Sequence, residues 1–115
     1  MITGIHGILF SSDPAATRAC LRDAFGWDHV DAHDGWLIFR LPPAELGVHP
    51  AERGGQHQLY LMCDDLEPTM AQLRQKGVEF EGEPRADRGV GTFITAVLPG
   101  EVRISLYQPD HLTAI

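Results

Sequence analysis

The 115-residue chain carries nine Lys and Arg against sixteen Asp and Glu, a net charge of −7, and no basic run forms a stripe that could neutralise phosphates. Nucleic acid and anionic membrane are therefore not expected partners, and the apolar runs are strand-sized, short of the roughly 18 residues of a membrane helix. At 43% hydrophobic and 22% charged residues the composition is that of a single globular domain over 1–115, in which two halves could not each bury a core alone.

In chain order, Ile2 to Ser11 alternates and is β-rich, and Ser11-Ser12-Asp13-Pro14 then supplies a capping side chain and a first-turn proline. A helix follows with Ala16, Cys20, Leu21 and Ala24 or Phe25 at three- and four-residue steps, ended at Gly26. Trp27 to Asp31 and Trp36 to Leu41 read as short strands about the turn His33-Asp34-Gly35, stopped by Pro42-Pro43, and Glu45 to His49 as a third. The Gly-, Pro- and charge-rich stretch Pro50 to Gln56 is the expected connection between halves.

Beyond it, strand Gln58 to Cys63 leads through Asp64-Asp65 into a helix with Leu66, Met70, Leu73 and Gln72 or Lys76, ended at Gly77. Val78 to Phe80, Gly91 to Leu98 and Val102 to Tyr107 supply three more strands, the last two joined by the turn Pro99-Gly100-Glu101. The acidic run Glu79 to Pro84 and Asp87-Arg88-Gly89 read as a solvated, mobile edge, ill placed for acid or base catalysis.

The order therefore runs twice: Ile5-His6-Gly7-Ile8-Leu9-Phe10 into Asp13 and a helix, then Gln58-Leu59-Tyr60-Leu61-Met62-Cys63 into Asp65 and a helix. One βαβββ-type module used twice is the implied plan, module 1 over about 1–52 and module 2 over about 56–110. Cys20 and Cys63 lack any CxxC spacing and fall where small apolar residues pack, as inert thiols. Met1-Ile2-Thr3 enters the first strand with nothing like a secretory signal, so a cytoplasmic location is expected.

These features together resemble the vicinal oxygen chelate superfamily of glyoxalase I, extradiol dioxygenases, fosfomycin-resistance enzymes and bleomycin-resistance proteins. The residues that carry the likeness are His6 with Asp13, Phe25-Gly26, Tyr60 to Leu66, Lys76-Gly77-Val78 and Arg103 to Pro109. The resemblance implies an α+β fold in which two βαβββ modules form curved mixed sheets around a U-shaped cleft, with helices on the convex side. It also implies a metal-ligand position on the first and last strand of each module. Here those positions read His6, Gly47, Gln58 and Ser105, of which only His6 is a strong ligand.

Strand alternation places His6, Ile8 and Phe10, then Gln58, Tyr60 and Met62, then Arg103, Ser105 and Tyr107 in the cleft, with Leu46 and Val48 turned to the helix layer. Pairing Asp13 with Asp65 superposes His6 on Gln58, Thr17 on Thr69 and Leu21 on Leu73, whereas pairing Asp13 with Asp64 superposes His6 on His57. The first is favoured because the helical apolar positions agree, and a slip of one residue would turn the strand over. Glu45 and His49 lie on the cleft face of their strand, so a non-standard metal set of His6, Glu45, His49, His57 and Gln58, for Zn, Ni, Mn or Fe, stays open beside the absence of any metal.

The cleft composition, apolar and aromatic walls with isolated polar groups, is that of a site for a small organic ligand. The leading expectation is a small-molecule-binding protein like the bleomycin-resistance branch, without a complete metal site or cofactor, acting as a homodimer. The alternatives are a metal-dependent glyoxalase-type lyase or isomerase or an extradiol dioxygenase anchored on His6, and a structural dimeric module without ligand. The sequence does not decide whether catalysis occurs.

Overall fold

The computed structural model describes every residue except Ile2. Its elements are α1 (Pro14–Asp23), β1 (His29–Asp31), β2 (Leu37–Phe39), β3 (Tyr60–Met62), α2 (Leu66–Gln75), β4 (Glu79–Asp87), β5 (Gly91–Leu98) and β6 (Val102–Pro109). The fold is α+β, with one mixed four-stranded sheet and one two-stranded hairpin.

The four-stranded sheet has the order β3-β6-β5-β4, with β3 parallel to β6 and the other pairs antiparallel. Alternation in β5 and β6 explains its two faces: Ile94, Ala96, Leu98, Val102, Ile104 and Leu106 are buried on one side. Leu66, Met70 and Leu73 of α2, Leu21 of α1 and its C-cap residue Ala24 close the same core, with Leu61 and Phe80 packed against it. Both helices thus serve one side of one sheet.

The two helices start on the same logic, 52 residues apart. Asp13 caps α1 by accepting from Ala16 N–H at 3.2 Å, and Thr17 and Thr69 each donate to the carbonyl of the cap residue, Asp13 or Asp65, at 3.1 and 2.8 Å. Asp65 makes no side-chain cap; Leu66 N–H is satisfied instead by Gln108 Oε1 at 3.0 Å. Gly26 and Gly77, at φ +71° and +89°, follow the helix ends as expected.

A clamp joins α1 to the sheet. Ser12 N–H donates to Gly100 O at 2.9 Å and Thr17 Oγ1 to Pro99 O at 2.6 Å, while Ser11 Oγ sits 2.7 Å from Thr17 Oγ1. Gly100, at φ +86°, leaves room for this approach: a Cβ there would collide with Ser11 Oγ and lie 2.8 Å from Thr17 Oγ1.

Several expected strands differ. The Ile2–Ser11 strand is absent over the described residues 3–11, and Glu45 to His49 forms none; among the described residues neither 4–10 nor 41–57 makes a backbone–backbone hydrogen bond. Leu46 and Val48, expected against the helix layer, are 86% and 93% exposed. A strand exists only where a neighbour takes its N–H and C=O groups, and Pro42, Pro43 and Pro50 remove donors around the second segment. Conversely, the strand expected over Val78 to Phe80 extends as β4 through Glu79–Asp87, taking in most of the Glu79–Pro84 and Asp87-Arg88-Gly89 segments expected as a mobile edge, since β5 offers it a ladder interrupted by a bulge between Glu81 and Arg85.

Candidate functional site

The sheet face opposite the helices holds the candidate site. Register aligns Tyr60 with Ser105, Met62 with Tyr107, Phe93 with Tyr107 and Thr95 with Ser105, so these side chains share one face. Tyr60 and Tyr107 meet edge to face with ring centroids 5.6 Å apart, a favoured aromatic geometry. Tyr60 Oη donates to Gln58 Oε1 at 3.2 Å, which sets Gln58 beside the tyrosine pair, while His57 is exposed.

Three further polar groups edge this face. His111 stacks on Tyr107 at 6.2 Å, with its Nε2 3.4 Å from the Tyr107 hydroxyl. Glu45, half-buried between exposed neighbours, accepts from Ala114 N–H at 2.6 Å. Arg103 Nε is paired with Glu81 Oε1 across the sheet. Partial burial first, then the Glu45 carboxylate and the nearby Tyr60, push the Tyr107 phenol above its ordinary value. Tyr107 is consequently a neutral hydrogen-bonding phenol at neutral pH.

Of the expected cleft residues, Gln58, Tyr60, Met62, Arg103, Ser105 and Tyr107 come together here. His6, Ile8 and Phe10 do not sit in a strand; Ile8 and Phe10 are 68% and 90% exposed, because their segment has no partner for its backbone. His111, Phe93, Thr95 and Glu81 escaped the sequence reading. Alternation within Gly91 to Leu98 would have found Phe93 and Thr95, whereas nothing periodic flags His111.

The five candidate metal donors do not assemble. His49 Nδ1 lies 2.7 Å from the neighbouring Pro50 carbonyl, His6 and His57 are exposed, and among the described residues no three His, Cys, Asp or Glu side chains form a group able to hold an ion. The donor set of this chain therefore does not fit a divalent metal in this arrangement. Cys20 and Cys63 are free and half-buried, and burial raises both thiols, with Asp23 adding to the effect at Cys20. Two shallow hollows of about 370 and 500 Å³ lie off the sheet face, one beside Ala16, Cys20 and Gly77, the other beside Trp27, Arg40 and Pro42. Among the described residues no helix is long and apolar enough to cross a membrane.

Solved structures share this architecture over nearly the whole chain. A lactoylglutathione lyase from Agrobacterium tumefaciens superposes with TM-score 0.65 at 14% identity, covering 92% of each chain. TnmS3, an antibiotic-binding protein from a Streptomyces species, gives 0.64 at 24% identity, covering 96% of this chain and all of its own. The fosfomycin resistance protein FosX of Listeria monocytogenes gives 0.59 at 18% identity, covering 94% and 92%. The chain has the vicinal oxygen chelate fold. No family model and no curated protein matches its sequence. At these identities the likeness establishes the fold, and a vicinal oxygen chelate scaffold hosts both ligand binders and enzymes, so function is argued from the sheet face itself.

Proposed function

We propose that this chain binds a small organic molecule with an aromatic part on the Tyr60–Tyr107 face, as a homodimer. The observation that carries the reading is the edge-to-face tyrosine pair flanked by Met62 and Phe93, with Gln58, Ser105, Arg103 and His111 as separate hydrogen-bonding groups. Apolar area supplies affinity at such a site and the few polar groups set orientation. The antibiotic-binding TnmS3 and the resistance protein FosX, which share the fold, support an antibiotic or similar compound as the ligand class. Two free thiols suit a reducing compartment, and a cytoplasmic location is part of the proposal.

A thermal-shift screen of aromatic and glycopeptide compounds tests it. A ligand at about 100 times its Kd adds about 2.7 kcal/mol to the folded state, a rise of several degrees in Tm. Tyr60→Ala, at a position 47% exposed, should leave the unliganded Tm nearly unchanged and abolish the ligand's effect. A blank screen would defeat the proposal, as would stoichiometric Ni, Zn, Mn or Fe in protein purified without chelator and lost on His6→Ala, which would favour a metal-dependent lyase or dioxygenase.

A further inference from the structure

Beyond β6 the chain turns back onto the tyrosine face. Asp110 N–H donates to Val90 O at 3.1 Å, which fixes the exit from the sheet. The His111 ring then stacks on Tyr107 at 6.2 Å, and Ala114 N–H donates to Glu45 Oε2 at 2.6 Å. Residues 111–114 are thus tied at both ends, by the turn before β5 on one side and by the 41–57 segment on the other.

The ring of His111 is oriented by its own neighbour. Its Nδ1 lies 2.7 Å from Leu112 O, which can only accept, so in the neutral imidazole this nitrogen carries the proton. Nε2 is then the acceptor for the Tyr107 hydroxyl at 3.4 Å. The imidazole therefore takes up both the Tyr107 ring and its O–H, the two groups an aromatic ligand would use.

What holds this segment is polar and slight. Leu112 is 100% exposed and Ile115 57%, and among the described residues 111–115 make no backbone–backbone hydrogen bond. A segment secured by one stacked ring and one hydrogen bond to a carboxylate opens at low cost, unlike the strands of the core. The Glu45 carboxylate also lies near enough to Tyr107 to oppose its ionisation, so latch and ring belong to one cluster.

We propose that residues 111–114 are a displaceable strap, latched by Glu45, that covers Tyr107 until an aromatic ligand takes the ring from His111. The inference rests on the ligand-binding reading above and adds its regulation. Because such a ligand binds only the open fraction, its apparent affinity falls by that fraction. The strap therefore acts as a threshold, which only compounds that gain more at Tyr107 than His111 gives up can pass.

Strap and ligand face are read separately on the full chain. The Ala114 amide should exchange with deuterium about three- to tenfold more slowly than in an open chain, the factor that one aromatic contact carries, and Glu45→Ala should remove that protection. N-phenyl-1-naphthylamine, a neutral aromatic fluorophore that the net charge of −7 does not repel, is the binding probe. Glu45→Ala and His111→Ala, each outside the core, should leave Tm nearly unchanged and each lower the probe's Kd. Both variants open one latch, so their gains should not add: the double variant should bind the probe about three- to tenfold tighter than wild type, the factor by which Ala114 is protected. An Ala114 amide that exchanges as in an open chain, or a double variant that binds the probe no tighter than wild type, would overturn the strap and leave the ligand-binding reading standing. Exchange on unmodified protein decides the latch even should a variant not fold. A protected Ala114 with no probe bound by any of the four proteins would overturn the ligand reading, and the gating with it.

Discussion

The second half of the chain closes a sheet of its own, whereas the first half, read with the same order of elements, forms among the described residues a helix and a hairpin of two three-residue strands. The contrast separates two kinds of information. Helices α1 and α2 both run ten residues from an aspartate to a glycine-bounded end, because caps, stops and i→i−4 bonds lie within the segment itself. Strands take their bonds from elsewhere. Gln58 to Met62 finds β6, while His6 to Phe10, its counterpart at the 52-residue offset, makes no backbone–backbone hydrogen bond among the described residues.

The sharpest way to break the comparison is a pair of truncations. Leu106 is 1% exposed at the centre of the formed sheet, so Leu106→Ala should cost about 2 to 5 kcal/mol in urea unfolding. Val48, 93% exposed, should tolerate alanine within about 0.5 kcal/mol. Equal costs would mean that the first half is as well packed as the second.

That contrast also explains what was legible beforehand. The helix bounds, the facing of Val102–Tyr107 and the grouping of Gln58, Tyr60 and Tyr107 follow from periodicity, which reports facing once a strand is in a sheet. Periodicity does not report whether a strand has a neighbour, and so it misplaced Leu46, Val48 and the segment of His6. It also undervalued Glu79 to Asp87, where charges guard an edge instead of marking a loop. His111 reaches Tyr107 from irregular chain after β6, where no pattern exists to read.

A middle-sized effect probes the clamp that ties the two halves. Gly100→Val places a β-branched residue at φ +86° and drives Ser11 and Ser12 off the Pro99–Gly100 turn. The backbone strain costs about 1 to 2 kcal/mol and the displaced hydrogen bond about 1 kcal/mol more. Calorimetric unfolding should therefore show a loss near 2 to 3 kcal/mol, and no loss would mean that α1 docks without this turn.

The smallest effect tests whether Glu45, from the first half, is held against the tyrosines of the second. With only two tyrosines in the chain, Tyr60→Phe leaves Tyr107 as the one phenol, and its absorbance can be followed against pH. In that background its midpoint should lie above the ordinary value near 10, and Glu45→Gln should lower it, because a carboxylate opposes formation of a phenolate. The folded state holds this proton more tightly than the unfolded chain does. Its contribution to stability is therefore complete below the unfolded value and is lost as pH rises through the folded one. A midpoint unmoved by Glu45→Gln would detach Glu45 from the site and leave the tyrosine face a property of the second half alone.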